Sequence, residues 1–195
     1  MQKNLLTLAV LCAMTSGAAF AQQVTEGSWM VRARAVHLNS DNGGTAGAAG
    51  VSVNDKWLPE VDVSYFFTPN IAAELILTYP QKHDVRLNGA DIGSLKHLPP
   101  TLLAQYHFTG MGAFKPYVGA GINYTRFSSV KLPAGLDVKR NSWGGALQVG
   151  VDYLLDKNWS LNLDVKKVYI DTDVRGVGTL KVDPVLIGVG VGYRF

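Results

Sequence analysis

Apolar and polar residues alternate with a period of two along most of the chain, and no segment shows a convincing helical period. Most of the alternating segments have nine or more residues, whereas strands in soluble proteins usually have about five or six. A tilted strand needs about 9 to 11 residues to cross a bilayer. The pattern predicts eight such strands, from Ser28 to Leu38, Trp57 to Phe67, Ile71 to Tyr79, Pro100 to Phe108, Pro116 to Phe127, Ser142 to Leu155, Trp159 to Ile170 and Val182 to Phe195.

The connections between these strands alternate in length. Short turns follow the second, fourth and sixth strands, at Thr68 to Asn70, at TGMGAF and at Asp156 to Asn158. Longer segments such as NSDNGGTAGAAGVSVNDK and PQKHDVRLNGADIGSLKHL follow the odd-numbered strands. Outer-membrane barrels have short periplasmic turns and longer extracellular loops. The fold class predicted is therefore all-β, an eight-stranded antiparallel transmembrane β-barrel with both termini in the periplasm.

One face of each strand is apolar and nearly free of charge, and its aromatic residues gather near the strand ends. On the last strand this face consists of Val185, Ile187, Val189, Val191 and Tyr193. Such a face is typical of a lipid-facing band with aromatic girdles. The alternative is a soluble sandwich or a lipocalin-like barrel with the apolar face inward. That alternative requires Lys, Glu and Thr on the other face, which instead holds glycine, alanine and isolated ionisable residues.

The direction of each strand assigns a height to every interior residue, and polar residues fall in the periplasmic half. Charges of both signs in a narrow barrel must pair, so we expect a salt-bridge plug that closes this end. Gln148 and Asn162 share this half, and Glu60 and Lys166 lie nearer the middle. The predicted polar plug consists of Arg32, Arg34, Asp62, Glu74, Gln105, His107, Asp152, Asp164 and Arg194.

Apolar interior residues fall in the extracellular half. Eight strands leave room for side chains or for one small ligand, and apolar residues that face inward from a membrane barrel suggest a site for an apolar molecule. The alternative is that they pack against the inner sides of the loops. The predicted ligand-binding residues are Val36, Leu38, Leu58, Ile76, Leu103, Val168, Ile170 and Leu186.

The N-terminus has the layout of a secretory signal peptide. Lys3 precedes the apolar run LLTLAVLCAM, and small residues follow at Ala19 and Ala21. We predict a signal peptide over residues 1–21, a barrel domain over 22–195, and export to the outer membrane. The only cysteine, Cys12, lies within the signal, where lipid attachment is the less favoured alternative. Once the signal peptide is removed, the mature chain has no cysteine and therefore no thiol chemistry.

Composition and motifs favour neither an enzyme nor a nucleic-acid-binding protein. The chain has 21 glycines, 17% charged residues, and 18 Lys and Arg against 15 Asp and Glu, which is too balanced to indicate nucleic acid. The segment GADIGSLKHLPP holds Asp91, Ser94 and His97, but this spacing is not that of a catalytic triad. His83, Asp84 and His97 form an equally weak metal-site pattern. We predict no enzymatic activity, no cofactor and no metal.

Several stretches resemble the OmpW family of small outer-membrane proteins, in which some members import alkanes. They are GSWMVRAR, PEVDVSYFFTPNIAAELI, KHLPPTLLAQYHF, PYVGAGINYT, SWGGALQVGVDYLL, IDTD, VDP and the terminal GYRF. The resemblance implies an eight-stranded barrel whose apolar channel ends inside the protein and opens sideways into the membrane. Prolines near the outer strand ends remove ladder donors where such an opening needs weak pairing, and the alternative is ordinary strand termination; they are Pro59, Pro99, Pro100 and Pro184.

Two further features refine this resemblance. Lys166 and Lys167 stand where some relatives carry aromatic residues, so a charge is expected beneath the apolar site. The terminal Tyr193 and Phe195 resemble the signal read by the outer-membrane assembly machinery, which is a predicted partner together with membrane lipid and a small hydrophobic ligand. The leading hypothesis is passive uptake of small hydrophobic molecules. A barrel that acts through its surface loops, and a narrow ion channel, are the alternatives.

Overall fold

The computed structural model describes residues 27–133 and 137–195, so the predicted signal peptide lies outside the described residues. Over the described ranges, no helix is long and apolar enough to cross a membrane. The elements, in chain order, are β1 (Trp29–Asn39), α1 (Gly44–Ala48), β2 (Val51–Val53), β3 (Lys56–Phe66), β4 (Ile71–Leu77), β5 (Gln81–Leu87), β6 (Ala90–Leu98), β7 (Thr101–His107), β8 (Phe114–Lys131), β9 (Asn141–Leu154), β10 (Trp159–Val168), β11 (Asp171–Val174), β12 (Gly178–Lys181) and β13 (Val185–Arg194).

Eight of these strands close into a barrel in which every neighbour is antiparallel. The ring runs β1, β3, β4, β7, β8, β9, β10, β13 and back to β1. The seam between the first and last strands extends from the pair Met30 and Arg194 to the pair Asn39 and Val185. Closure pairs the backbone groups of both edges, as a bilayer requires. The predicted eight-stranded antiparallel barrel is confirmed, and its three short turns join β3 to β4, β7 to β8 and β9 to β10.

The outer face of the barrel carries a band of exposed apolar residues. Leu161, Leu163 and Val189 are each about half exposed, and a soluble protein rarely exposes so large an apolar surface. Aromatic rings mark both ends of this band. Trp159 packs on Tyr193 at the turn end, with ring centroids 5.0 Å apart, and Tyr124 packs on Trp143 at the other end. The soluble alternative is therefore excluded.

The extracellular segments contain more regular secondary structure than the sequence pattern predicts. Residues 81–98, expected to belong to a loop, form the β5–β6 hairpin, and β8 continues to Lys131 because its upper part pairs with β6. The hairpin turns at Asn88 and Gly89, both with positive φ, which is a strong hairpin signal that the loop assignment overlooked. Strands β11 and β12 form a second small sheet, and α1 lies against β12 through the hydrogen bond from the Thr179 backbone N–H to Thr45 Oγ1.

Glycines on the inner face of β13 make room for the arginines of β1. Gly190 and Gly192 lie opposite Arg34 and Arg32 in the ladder. A Cβ at Gly190 would overlap the carbonyl oxygen of Ala33. The alternation of glycine with branched residues in the last strand therefore has a steric cause, since a side chain at Gly190 would collide with the backbone of β1 and one at Gly192 with Met30 and Ser160.

Candidate functional site

Arg32 is the centre of the charged group in the turn half of the barrel. Its guanidinium donates two hydrogen bonds to the Asp152 carboxylate, at 2.8 and 3.1 Å. It also donates to Asp62 Oδ1 at 3.1 Å and to Ser64 Oγ at 2.9 Å, and Glu74 Oε1 lies 3.4 Å away. The side chain is fully buried. One cation therefore joins carboxylates from β3, β4 and β9 across the lumen.

Arg34 and Lys166 continue this network toward the middle of the barrel. Arg34 contacts Glu60 at 2.8 Å, Asp62 at 2.9 Å and Glu74 at 3.0 Å. Lys166 contacts Glu60 at 2.6 Å and Asp164 at 2.7 Å. Here the term polar plug means the nine predicted residues together with Glu60 and Lys166. At these distances the buried charges compensate one another. Removing one of them would leave its partners buried without a compensating charge.

Neutral side chains complete the hydrogen bonds of the polar plug. Gln148 donates to Glu74 at 2.9 Å and to Asp164 at 2.8 Å, and it accepts from Gln105. The buried Tyr117 hydroxyl donates to Asp164 at 2.9 Å. Tyr117 is not among the interior residues predicted from the sequence, although its position between lipid-facing residues of the fifth strand could have indicated an inward side chain.

Arg194 and His107 lie at the turn end of the same half but outside the ion pairs. The Arg194 guanidinium lies 4.1 Å from the centre of the Phe66 ring, and within the described residues it has no carboxylate within salt-bridge distance. His107 stacks on Tyr117 and packs at a tilt against Phe66, and its Nε2 lies 3.0 Å from Gln105 Oε1. These two residues form an aromatic and cationic layer beneath the ion pairs.

A small cavity of about 30 Å³ lies directly above the polar plug. Six of the eight predicted ligand-binding residues line it, and Val36 and Leu103 are buried one inward position closer to the plug without lining it. Glu60 and Lys166 form its floor, as the position of Lys166 in the sequence suggested. The lining consists of Leu38, Leu58, Glu60, Ile76, Thr78, Gln81, His97, Pro99, Thr101, Asn123, Lys166, Val168, Ile170, Pro184 and Leu186.

One side of the cavity is polar, which the sequence analysis did not predict. Asn123 donates to Thr101 Oγ1 at 2.8 Å, and Gln81 donates to the Tyr79 carbonyl at 3.0 Å. The buried Thr78 hydroxyl has no hydrogen-bond partner among the described residues. Above its charged floor, the cavity is therefore lined by apolar residues toward β1, β10 and β13 and by polar residues on the side from residue 78 to β8.

This polar side coincides with a break in the barrel wall. The β4–β7 ladder ends at Ile76 and Thr101, and the β5–β6 ladder begins at Gln81 and His97. On the other side of β4, pairing with β3 ends at Leu77. The intervening segment 78–80 thus pairs with none of the described strands, and prolines opposite it supply no N–H groups. We call residues 78–80 the unpaired wall segment.

Apolar side chains of the extracellular segments cover the upper lumen. Val51, Val53, Val85, Leu95 and Leu180 belong to the same buried cluster as the cavity residues. The inward-facing apolar residues therefore line a cavity and also pack against the extracellular segments. Both interpretations of these residues, a cavity for an apolar molecule and packing against the loops, describe part of the cluster.

The residues of the weak catalytic and metal-site patterns make other contacts in the structure. Asp91 pairs with Arg86 at 2.8 Å, and the ring of His97 stacks on His83 with centroids 4.5 Å apart. Burial lowers the pKa of His83 to about 4, which keeps this ring neutral at physiological pH. The described ranges contain no group of three or more His, Cys, Asp or Glu side chains arranged to hold a metal.

Deleting Phe195 is expected to lower the amount of folded protein in the membrane severalfold. Phe195 packs on Tyr193 with ring centroids 4.9 Å apart, its side chain is exposed to lipid, and its backbone N–H donates to Trp29 at the seam. Heat-dependent migration on a denaturing gel measures the folded fraction. Normal membrane levels of the deletion variant would contradict an assembly role, and Phe114→Ala is a control at the same interface.

Comparison with known proteins gives consistent matches. The OmpW family model matches residues 25–195. The outer membrane protein W of Escherichia coli is 38% identical over 97% of this chain and 99% of its own length, and the uncharacterized outer-membrane protein y4mB of Sinorhizobium fredii is 50% identical over 86% of this chain and 80% of its own. The dibenzothiophene metabolism operon protein PahQ of Pseudomonas aeruginosa is 27% identical over 80% of this chain and 73% of its own.

Solved structures of outer-membrane proteins have a similar fold. The crystal structure of the outer membrane protein OprG from Pseudomonas aeruginosa superposes with a TM-score of 0.75 at 30% identity, over 89% of this chain and 98% of OprG. The outer membrane protein AlkL, solved by solid-state NMR in lipid bilayers, gives 0.68 at 25% identity, over 88% and 91% of the two chains. The chain therefore belongs to the OmpW family and is, as predicted, a non-enzymatic β-barrel of the cell outer membrane.

Proposed function

We propose that this barrel carries small hydrophobic molecules passively across the outermost part of the outer membrane. The observation that supports this function most directly is the cavity lined by leucine, isoleucine and valine in a protein whose outer face is already apolar. A membrane barrel needs no apolar residues inside for insertion, so these residues indicate an apolar ligand. The name of the relative PahQ, which refers to dibenzothiophene metabolism, fits a ligand of this class.

Burial of the ligand's apolar surface supplies the attraction. A ligand that buries about 200 Å² gains about 5 kcal/mol at about 25 cal/mol per Å². Ordering the ligand offsets part of this gain, so the dissociation constant falls in the millimolar range or weaker. Weak binding suits a transporter without an energy source, since a tightly bound ligand would not leave.

The polar plug directs the ligand sideways. Passage toward the periplasm would have to separate Arg32, Arg34 and Lys166 from carboxylates 2.6 to 3.4 Å away, which costs several kcal/mol for each buried ion. The unpaired wall segment offers a shorter route, because opening it breaks no ladder hydrogen bond. Thr78 and Pro99 both line the cavity at this point. The lateral exit is thus assigned to the wall between β4 and β7.

A disulfide across this exit is expected to lower uptake of an apolar compound about tenfold. Continuing the β4–β7 register brings residue 78 opposite residue 99, so the double variant Thr78→Cys, Pro99→Cys places two thiols across the unpaired wall segment. The mature sequence has no other cysteine, so no competing disulfide forms. Uptake is measured in oxidised cells and again after reduction, which is expected to restore it.

The matched control is Leu75→Cys with Leu102→Cys, a pair already joined in the β4–β7 ladder. Oxidation of this pair is expected to leave uptake unchanged. If the oxidised exit pair takes up the compound at the unmodified rate, the lateral route is wrong. If exchange of the extracellular segments alone abolishes the activity of the protein in cells, the hypothesis that it acts through its surface loops replaces the transport hypothesis.

A further inference from the structure

Three exposed cations, Lys82, Lys96 and Arg126, form a row across three neighbouring extracellular strands. Lys82 on β5 lies directly opposite Lys96 on β6. Arg126 on β8 pairs with Leu98 and is therefore a diagonal neighbour of Lys96. The adjoining residues of these strands point into the barrel and are buried, so the three cations share the outer face. This group is called the cationic row.

The cationic row is unfavourable unless an anion joins it. Like charges directly opposite in an antiparallel ladder destabilise the pair. Asp84 is 3.4 Å from Lys82, but both side chains are largely exposed, and such a pair contributes little. Within the described residues, Lys96 and Arg126 make no salt bridge and no side-chain hydrogen bond. Their charges thus remain available to a partner outside the protein.

The height of the row indicates where that partner lies. Arg126 is two residues beyond Tyr124, whose ring packs on Trp143 with centroids 4.8 Å apart, and Ile122 below them is exposed to lipid. Aromatic girdles lie at the boundary between the acyl chains and the headgroups. The cationic row therefore faces sideways at the level of the outer-leaflet headgroups.

We propose that the cationic row binds the phosphate groups of lipopolysaccharide in the outer leaflet. The planar guanidinium of Arg126 can donate two parallel hydrogen bonds to one phosphate, and the lysine ammoniums supply point charges beside it. The aromatic pair below provides a surface for the acyl chains of the same lipid. A lipid anion fits better than a soluble one because the row opens toward the bilayer rather than toward the lumen.

The test compares the unmodified barrel with the triple variant Lys82→Gln, Lys96→Gln, Arg126→Gln. The purified barrels, in mild detergent, are titrated with diphosphorylated lipid A or with dephosphorylated lipid A, and bound lipid is counted by native mass spectrometry. The unmodified barrel is expected to bind the diphosphorylated form about tenfold more tightly, as loss of one or two charge-assisted hydrogen bonds implies. The triple variant is expected to bind both forms equally.

The matched control removes three exposed cations elsewhere, with Arg86→Gln, Lys157→Gln and Arg175→Gln, and is expected to bind as the unmodified barrel does. Undiminished preference for the phosphorylated lipid in the triple variant would overturn the proposal. Equal affinity of the unmodified barrel for both lipids would also overturn it, because contact through acyl chains alone would then explain binding. Heat-dependent gel migration confirms that all variants are folded.

Discussion

Replacing Arg32 with leucine is expected to lower the free energy of unfolding by about 3 to 5 kcal/mol, the cost of removing one partner from a buried ion pair. The guanidinium contacts Asp62, Glu74 and Asp152 within 3.4 Å. Without it these three carboxylates stay buried with too few cations to pair with. Equilibrium unfolding of the purified barrel in lipid vesicles with urea measures the change.

Arg140→Leu is the matched control for this prediction. Arg140 pairs with Asp137 at 3.0 Å, but both side chains are more than half exposed, so the expected loss is below about 1 kcal/mol. If Arg32→Leu does not fold, Arg32→Lys keeps the charge but loses the paired hydrogen bonds and is expected to show an intermediate loss. Equal stability of Arg32→Leu and the unmodified barrel would show that the polar plug does not hold the barrel together.

The wall of the barrel could be predicted from the sequence because its signals are local. The period of two assigns each residue to a face, the length of each strand matches a bilayer, and short turns alternate with long segments. The lipid face of the closing strand, with Val189 and Val191 exposed and Gly192 inside, follows from this alternation alone. Combined with the direction of each strand, this alternation also predicts charged residues in the turn half of the lumen and apolar residues in the other half.

The contacts inside the lumen depend on register, which no local pattern specifies. Arg32 meets Asp152 across 120 residues of sequence, and this pairing exists only after β13 closes on β1. The unpaired wall segment arises for the same reason. The ladder between β3 and β4 and the ladder between β4 and β7 both end just before Thr78. The extracellular hairpin was missed because its strands carry polar residues on the outer face and resemble a loop in composition.

Placing two polar side chains in the cavity is expected to lower uptake of an apolar compound by tenfold or more. Leu58 and Leu186 line the cavity from β3 and β13. The double variant Leu58→Asn, Leu186→Asn puts amide groups where the ligand would have to displace their water, at a cost of about 1 to 3 kcal/mol for each group left without a partner. The lowered affinity for the ligand reduces its entry, while the polar plug and the outer wall are unchanged.

Two valines provide a control that separates the cavity from the fold. Val168 lines the cavity, whereas Val36 is buried in the same cluster without lining it. Val168→Thr and Val36→Thr make the same change of one methyl group to a hydroxyl. We expect Val168→Thr to lower uptake severalfold and Val36→Thr to leave it unchanged, with both variants folded by gel migration.

The most direct test of transport through the upper lumen is the initial rate at which intact cells take up the apolar fluorescent probe N-phenyl-1-naphthylamine. Cells that lack the barrel are supplied with the unmodified chain, with Leu58→Asn, Leu186→Asn, or with Val36→Thr, at equal folded levels. We expect fast uptake with the unmodified chain and with Val36→Thr, and a rate close to that of cells without the barrel for the double variant. Equal rates for the unmodified chain and the double variant would contradict transport through the upper lumen.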